Sequence, residues 1–376
     1  MVEREREEGE EEGEIPGCAP MVVAMGEIER KNAALGEIGC TVASEEVVVP
    51  SPIELHWWNS AAIVQDPFGA LSSWNHSLHY CHWNDILCSH CQHPDRVIGI
   101  TLMSQGLVGL LSPHVPSGLY KISSIIALSV AINHLEGNIP HDIGSTLPNL
   151  KGSLPDSIAN LFTYLSWIDL RFNQIHGSIP SGIGNLLNLT QLSMAVNNLV
   201  GPIPSSIDRL HKLCTLFLEQ NKFTELPSSI GNLTSLITLN LGENDIHGSI
   251  PPSLGNCHNL LELHLYNNNL NGSIPPEIMS LSSISKFRWL GHNALTGSLP
   301  SEVGYLKNFA NMNVSYNKLS GPIPNTLSNC FSLEWLHLEA NSFEGEIPQS
   351  LKLMRGLRVL DLSHNNLSGL IPSYLG

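Results

Sequence analysis

A unit of 23 to 25 residues recurs through most of the chain and constrains its fold more than any other feature. Its pattern is LxLxxNxLxGxIP, and one copy runs from Leu263 to Pro275. Two earlier copies carry Asn133 and, in place of the asparagine, Gln105. A chain of such units folds as a stack of turns, so its length does not set a number of globular domains. The asparagine of the pattern recurs regularly at Asn173, Asn197, Asn221, Asn244, Asn268, Asn293, Asn317, Asn341 and Asn365.

Apolar residues alternate at the start of each unit, as in Leu216/Leu218 and Leu239/Leu241. This period of two is typical of a strand that buries one face. One short strand cannot bury that face alone, whereas stacked turns share a continuous apolar core. The sequence therefore predicts an α/β-type solenoid whose strands form one parallel β-sheet.

The repeated asparagine stands where the chain turns inward after the strand. A buried amide needs hydrogen-bond partners, and the backbone of its own turn and of the adjacent turn can provide them. We therefore predict a structural ladder of asparagines, which comprises Asn133, Asn173, Asn197, Asn221, Asn244, Asn268, Asn293, Asn317, Asn341 and Asn365.

The pattern divides the chain into three regions. Residues 1–50 begin with MVEREREEGEEEGE, a run that repels itself and predicts a disordered acidic leader. Residues 51–95 contain tryptophans and cysteines and are interpreted as an N-terminal cap. Residues 96–376 are predicted to form a solenoid of about twelve turns, with no C-terminal cap visible after the last one.

One turn near residues 147–155 departs from the pattern. The half-unit Lys151-Gly-Ser-Leu-Pro155 is present, but no LxLxxN strand precedes it, and Pro148 occupies the expected asparagine position. Proline cannot donate to a strand ladder, so we expect a contracted or disordered turn here. A deletion or an error in the gene model explains it better than a functional hinge.

Charge and hydropathy exclude some classes of function. The net charge of -16 argues against nucleic-acid binding, which needs a basic surface. No run of 18 or more apolar residues is present, so no transmembrane helix is expected in this sequence. No secretory signal peptide is recognisable near the start either.

Several motifs carry a resemblance to a known family. Residues 66–75 read DPFGALSSWN, residues 81–88 read CHWNDILC, and the repeats have the GxIP form. Over residues 55–376 the chain resembles the ectodomains of plant leucine-rich-repeat receptor-like kinases, in particular those that detect microbial peptides. The resemblance implies a right-handed superhelix with a parallel concave β-sheet, a second sheet formed by the GxIP segments, and a disulfide between Cys81 and Cys88.

The same resemblance implies a peptide or protein ligand on the concave or lateral surface, with a co-receptor ectodomain as a possible partner. It also implies a membrane-anchored parent at the cell surface. A kinase is not expected in this chain, because neither an HRD-type catalytic loop nor a glycine-rich loop followed by a lysine-bearing strand is found.

The cap also contains a cluster of Cys and His residues, and two interpretations of it stay open. Cys81, Cys88 and Cys91 lie close to four histidines, a combination that can bind zinc. The usual spacings of zinc sites are absent, however, which favours a disulfide and no metal. The nearby histidines are His79, His82, His90 and His93.

Strand alternation leaves the side chains between the buried positions facing solvent on the concave sheet. Exposed aromatic side chains among charged ones are typical of binding hot spots, so these positions are candidate ligand-binding residues. They are Trp167, Asp169, Arg171, Phe217, Glu219, His264, Tyr266, Trp289, His292, Trp335, His337 and Glu339.

Acceptor sequences for N-glycosylation fit a secreted glycoprotein as a set. Asn313 lies in a predicted concave strand, where a glycan would block ligand across that turn. The acceptors are Asn75, Asn188, Asn232, Asn271, Asn313 and Asn366.

The sequence supports ligand binding by a receptor-like ectodomain in plant cell-surface signalling or defence. Catalysis is not expected, since no GxSxG nucleophile elbow is present, and neither a cofactor nor a metal is implied. Two alternatives stay open, namely a secreted inhibitor of a microbial cell-wall-degrading enzyme and a non-functional fragment of a receptor kinase gene.

Overall fold

The computed structural model describes residues 63–74, 78–88, 97–111, 126–138, 164–285 and 290–375. The predicted acidic leader and the irregular turn at 147–155 lie outside these ranges. Trp289, Asn75 and Cys91 lie outside them as well.

The LxL segment of each described turn forms a short strand. The strands from residue 97 to residue 264 stack in parallel in one sheet, and those from residue 311 to residue 361 stack in a second. We call the two together the concave sheet, after the family resemblance. Equivalent residues pair, for example Leu216 with Leu239 and Leu239 with Leu263. The strands are β3 (Val97–Thr101), β5 (Ala127–Ser129), β7 (Trp167–Asp169), β9 (Gln191–Ser193), β11 (Thr215–Phe217), β13 (Thr238–Asn240), β15 (Glu262–His264), β18 (Asn311–Asn313), β20 (Trp335–His337) and β22 (Val359–Asp361).

The strands β5 and β7 are direct neighbours in the concave sheet, although the irregular turn lies between them in the sequence. Leu128 pairs with Ile168, and Ser129 pairs with Asp169. The asparagine ladder bridges the same step, since the Asn173 amide donates to the carbonyl of Val130 at 3.0 Å. The core therefore stays continuous across the defect in the repeat pattern.

The segment after each asparagine forms a second set of parallel strands on the side of each turn. The set is interrupted after residue 223, where the sequence KFTELP replaces the usual glycine-containing segment, and again between residues 271 and 296. The strands are β4 (Val108–Leu111), β6 (His134–Asn138), β8 (Gln174–Gly177), β10 (Asn198–Gly201), β12 (Lys222–Phe223), β14 (His247–Ser249), β16 (Asn269–Asn271), β17 (Thr296–Gly297), β19 (Lys318–Pro322), β21 (Ser342–Glu346) and β23 (Asn366–Ser368).

Helical segments close the turns, and among the described residues they are almost all short 3-10 helices. One four-residue α-helix, α1 (Pro276–Met279), takes the place of a 3-10 helix in its turn. The 3-10 helices are Ala70–Ser73, Tyr80–His82, Ser181–Asn185, Ser205–Arg209, Ser228–Asn232, Pro252–Asn256, Ser301–Tyr305, Asn325–Asn329, Gln349–Leu353 and Ser373–Leu375.

These helices pack closely against those of the adjacent turns. Glycine makes this possible in the turns whose 3-10 helix ends in the sequence IGN. A Cβ atom added to Gly231 would overlap the carbonyl oxygen of Ser253 in the next turn, and one on Gly184 would overlap that of Ser206. Only glycine fits such a backbone approach without a shift of the neighbouring turn.

The asparagine ladder joins each turn to its neighbours through the side-chain amide. In Asn244, the Oδ1 atom accepts from the backbone N–H of Phe223 at 3.0 Å, and the Nδ2 atom donates to the carbonyl of Leu218 at 3.1 Å. Each ladder asparagine from 133 to 365 makes the same pair of contacts with the preceding turn, as for Asn341 with Leu319 and Val314.

The residue before each ladder asparagine adopts a left-handed backbone conformation although it is not glycine, for example Phe172 at φ 54° and Tyr316 at φ 52°. This conformation is uncommon for residues with a side chain. It lets the Phe172 N–H donate to the carbonyl of Ala195 in the next turn, so the conformation is offset by an inter-turn hydrogen bond.

The cap closes the N-terminal end of the stack with two antiparallel strands, β1 (Ile63–Gln65) against β4 and β2 (Ile86–Cys88) against β3. The indoles of Trp74 and Trp83 stack with ring centroids 5.5 Å apart, and both are buried. The carboxylate of Asp66 accepts from the backbone N–H groups of Ala70 and Leu71. These contacts explain why the DPFGALSSW motif has its spacing.

Candidate ligand-binding face

Three rows of side chains run across the concave sheet, because alternate residues of each strand point to the same face. The first row contains Trp167 and Trp335, and the second contains Asp169, Phe217 and His264. The third row lies two residues farther along each turn and contains Arg171, Glu219, Tyr266 and Glu339. Adjacent members of a row are separated by the strand spacing of about 4.8 Å.

Asp169 does not face solvent, and the expectation that it would do so is wrong. Its side chain is 0 % exposed because Arg171 lies over it, with Nη2 of Arg171 2.9 Å from Oδ2 of Asp169. A second hydrogen bond joins Arg171 Nε to Asp169 Oδ1 at 2.9 Å. Alternation predicts the face of a side chain but not whether a longer neighbour covers it. Arg171 is thus the part of this ion pair that a ligand would meet.

Glu219 is only partly exposed and lacks the partner that Asp169 has. Its Oε2 atom is shielded from solvent and has no hydrogen-bond partner. Burial raises the pKa of this carboxyl above its ordinary value of 4.5, although a hydrogen bond from its own backbone N–H and the charges of Arg171 and His264 act in the opposite direction. Because Arg171 is already bonded to Asp169, the Glu219 charge is compensated only at a distance.

Substitution of Glu219 by glutamine is expected to stabilise the fold at neutral pH. Because the pKa of Glu219 is raised in the folded state, the native chain binds this proton more tightly than the unfolded chain. The stabilisation that protonated Glu219 contributes is therefore fully present below about pH 4.5, and it is lost as the pH rises through the pKa of the folded state. Urea unfolding from pH 4 to pH 8 measures this, and a variant less stable than wild type at pH 7 would contradict it.

Tyr266 and His264 continue the face toward the middle of the sheet. The Tyr266 ring lies over Gly242, where an added Cβ atom would come within 2.5 Å of the ring. His264 contacts Tyr266 edge to face, with ring centroids 6.5 Å apart. Both side chains and Phe217 are partly exposed, as the candidate positions require.

A second group lies on the last strands. The guanidinium of Arg358 lies 5.8 Å from the ring centroid of Trp335 and also contacts Glu334 at 3.2 Å. His337 and Glu339 are partly exposed on the same turn, with Nδ1 of His337 3.5 Å from Oε2 of Glu339.

His292 does not lie in the three rows. It is an exposed left-handed residue at the edge of the face, where it stacks on Tyr316 with ring centroids 4.3 Å apart. Sequence reasoning missed Tyr316, although it occupies the same position of the next repeat. Exposed Phe172 and Ile132 share this position, so the edge carries a further set of apolar side chains.

The acceptor asparagines differ in accessibility. Asn232, Asn271 and Asn366 are exposed, and Asn188 is partly buried and accepts from Lys212 at 2.6 Å. Asn313 lies on β18 in the second row, and its Oδ1 atom accepts from the backbone N–H of Ser315. Asn75 lies outside the described residues.

If the chain enters the secretory pathway, the three exposed acceptors are expected to carry glycans. Treatment of the chain from plant cells with an N-glycosidase active on plant glycans should increase its mobility on a gel. Substitution of Asn232, Asn271 and Asn366 by glutamine should remove most of that shift. A triple variant that shifts as much as the wild type would contradict the prediction.

Two interpretations of the cysteines of the cap were open, a disulfide and a zinc site. For Cys81 and Cys88, the structure has the disulfide. Cys81 and Cys88 form a disulfide with their Cα atoms 5.7 Å apart, so neither is free to bind zinc as a thiolate. Cys257 and Cys330 are buried thiols, and burial raises their pKa to about 11 and about 12. Both therefore pack as small apolar groups.

Comparison with known families agrees with this architecture. Residues 159–291 match the family described as leucine-rich repeat region, and residues 59–89 match the leucine-rich-repeat N-terminal domain. Three further leucine-rich repeats match at residues 308–330, 332–354 and 356–376.

Similar proteins include plant receptors. The LRR receptor-like serine/threonine-protein kinase GSO2 of Arabidopsis thaliana is 36% identical over 120 residues, which cover 32% of this chain and 8% of that protein. The solved structure of PEPR1 with AtPEP1 has a TM-score of 0.63 at 30% identity and covers 87% of this chain and 50% of that one. The Arabidopsis receptor kinase HAESA, solved with the peptide hormone IDA and the co-receptor SERK1, has a TM-score of 0.62 at 30% identity, covering 84% and 54%.

The chain spans about half the length of these solved receptor ectodomains. Among the described residues, no helix has the length and hydrophobicity needed to cross a bilayer. The cap motif, the plant-type repeats and the similarity to solved receptors agree with one another. The chain belongs to the leucine-rich-repeat proteins, and it is similar to the repeat regions of plant receptors.

Proposed function

We propose that the chain binds a peptide across the concave sheet and serves in plant cell-surface signalling. The similar ectodomains PEPR1 and HAESA were solved with AtPEP1 and with IDA, which supports a peptide as the ligand. The HAESA complex also contains the co-receptor SERK1, which supports a second ectodomain as a partner. A role in defence, with a microbial peptide as the ligand, is the narrower form of this proposal.

The observation that carries the proposal is the Oε2 atom of Glu219, which is shielded from solvent and has no hydrogen-bond partner. An oxygen of this kind lowers the stability of the fold, and such groups concentrate at functional sites. A lysine or arginine of the ligand would pair with Glu219 and remove that penalty. Phe217 and Tyr266 flank this position and provide apolar contact area.

Arg171 adds a second charge of opposite sign. It lies two strands from Glu219 in the same row, about 10 Å away by the strand spacing. The intervening residue is Ala195, which is buried between the two turns. Because an extended peptide advances about 3.3 Å per residue, a ligand with a basic and an acidic group about three residues apart matches both charges.

Selection with random linear peptides tests this function. The full chain, secreted from plant cells, is immobilised and panned, and the enriched peptides are measured by isothermal titration calorimetry. Saturable binding by peptides rich in Lys or Arg is expected, and Glu219→Gln should weaken it about tenfold. Glu225→Gln, an exposed glutamate outside the concave rows, is the matched control. Failure to enrich any peptide, or equal affinity of the Glu219→Gln variant, would contradict the proposal.

A further inference from the structure

Three metal-ligating side chains meet on the last described strands of the concave sheet. His337 on β20 pairs in register with Asp361 on β22, which places the two side chains next to each other on one face. Glu339 lies two residues after His337 and points to the same face. One nitrogen or oxygen atom from each of the three lies within 4.8 Å of the other two. Within the described ranges, no other group of His, Cys, Asp and Glu side chains meets this condition.

The backbone and local hydrogen bonds determine this arrangement. Asp361 Oδ1 accepts from the backbone N–H of Ser363 at 2.9 Å, which orients the carboxylate. Glu339 is held more deeply, with its side chain 14% exposed.

The charge of this group is poorly balanced. Glu339 Oε2 is shielded from solvent and lacks a hydrogen-bond partner, and Nδ1 of the His337 ring lies 3.5 Å from it. Elsewhere on the same sheet, a buried carboxylate is covered by arginine, as Asp169 is by Arg171. Arg358 does not fill this role, because it contacts Glu334 and Trp335.

We propose that His337, Glu339 and Asp361 bind a divalent first-row transition-metal ion. One imidazole and two carboxylates form a ligand set that zinc accepts, and three protein ligands leave a fourth position of a tetrahedral ion open. That position is available to a group of a bound ligand, since the three side chains lie on the concave face. A metal here would also supply the positive charge that the two carboxylates lack.

Zinc binding by the full chain, without any peptide, tests this site independently of the proposed receptor function. The chain is stripped of metal with a chelator and titrated with zinc by calorimetry, and its thermal unfolding is followed with and without zinc. Wild type is expected to bind zinc saturably and to unfold at a higher temperature when loaded. Asp361→Asn and Glu339→Gln should each weaken binding at least about tenfold.

Two comparisons separate loss of the site from loss of the fold. Asp361→Asn keeps an oxygen that accepts from Ser363, so its metal-free unfolding temperature should stay close to wild type. His258→Ala removes an exposed histidine outside the concave rows and should bind zinc as wild type does. Absence of saturable binding in wild type, or equal zinc affinity of wild type and the Asp361→Asn and His337→Ala variants, would overturn the proposal.

Discussion

Replacement of Leu239 by alanine is expected to lower the free energy of unfolding by about 2–5 kcal/mol. Leu239 lies in the middle of the concave sheet and is 0% exposed. Its neighbours in register, Leu216 and Leu263, are equally buried, so the lost side chain leaves a cavity between three stacked turns. The strand hydrogen bonds hold the turns at their spacing, which limits collapse into the cavity.

Urea unfolding followed by circular dichroism measures this loss. Thr238→Ala, one residue earlier on the opposite face of the same strand, is the matched control and should change stability by less than about 1 kcal/mol. Because each turn contacts mainly its neighbours, hydrogen exchange should accelerate most in the turns on either side of Leu239. Equal losses for the two variants would show that this face of the strand is not the core.

Replacement of Asn244 by alanine is expected to cost about 1–3 kcal/mol although it removes few apolar contacts. The change leaves the backbone N–H of Phe223 without its partner and removes one of the two asparagine donors to the carbonyl of Leu218, which keeps Asn221 Nδ2 at 3.2 Å. These groups are buried, so water replaces the lost hydrogen bonds poorly. The penalty arises mainly from the unpaired N–H of Phe223 and the weakened bonding of the Leu218 carbonyl, and only slightly from the lost side chain itself.

Asn256→Ala is the control for this prediction. Asn256 is exposed at the end of a 3-10 helix in the following turn, and its loss should change stability by less than about 0.5 kcal/mol. Both variants are measured by the same urea unfolding. A similar effect of the two substitutions would contradict a structural ladder.

The repeat pattern predicts the parts of this fold that recur. The spacing of Leu and Asn predicts the parallel sheet because each turn must bury its alternate side chains against the next. The ladder follows from the same spacing, since Asn occupies the point where buried backbone groups lack partners. The contacts of Asn244 and Asn341 have the geometry that this reasoning requires.

Other features of the backbone are not readable from residue type. The left-handed positions carry Phe172, Glu243 or Tyr316, residues that do not signal a positive φ. Inter-turn hydrogen bonds, which depend on the assembled stack, hold them there. The direct pairing of β5 with β7 also escapes the pattern, which predicts a contracted or disordered turn but not that its neighbours meet.

The candidate site was predictable as a face but not as a set of contacts. Alternation places Arg171, Glu219 and Tyr266 on the same side of the sheet, and the structure has them in one row. The cover of Asp169 by Arg171 depends on side-chain length and rotamer. The proximity of His337 and Asp361 depends on the register between their two strands, which cannot be read from a single sequence.

Location of a bound peptide tests the central claim most directly. A peptide selected on the full chain is synthesised with a photoreactive residue, cross-linked by light and mapped by mass spectrometry. Cross-links are expected on the concave rows, at Phe217, His264 or Tyr266. Cross-links confined to exposed apolar residues outside these rows, such as Phe331 and Leu353, would contradict it.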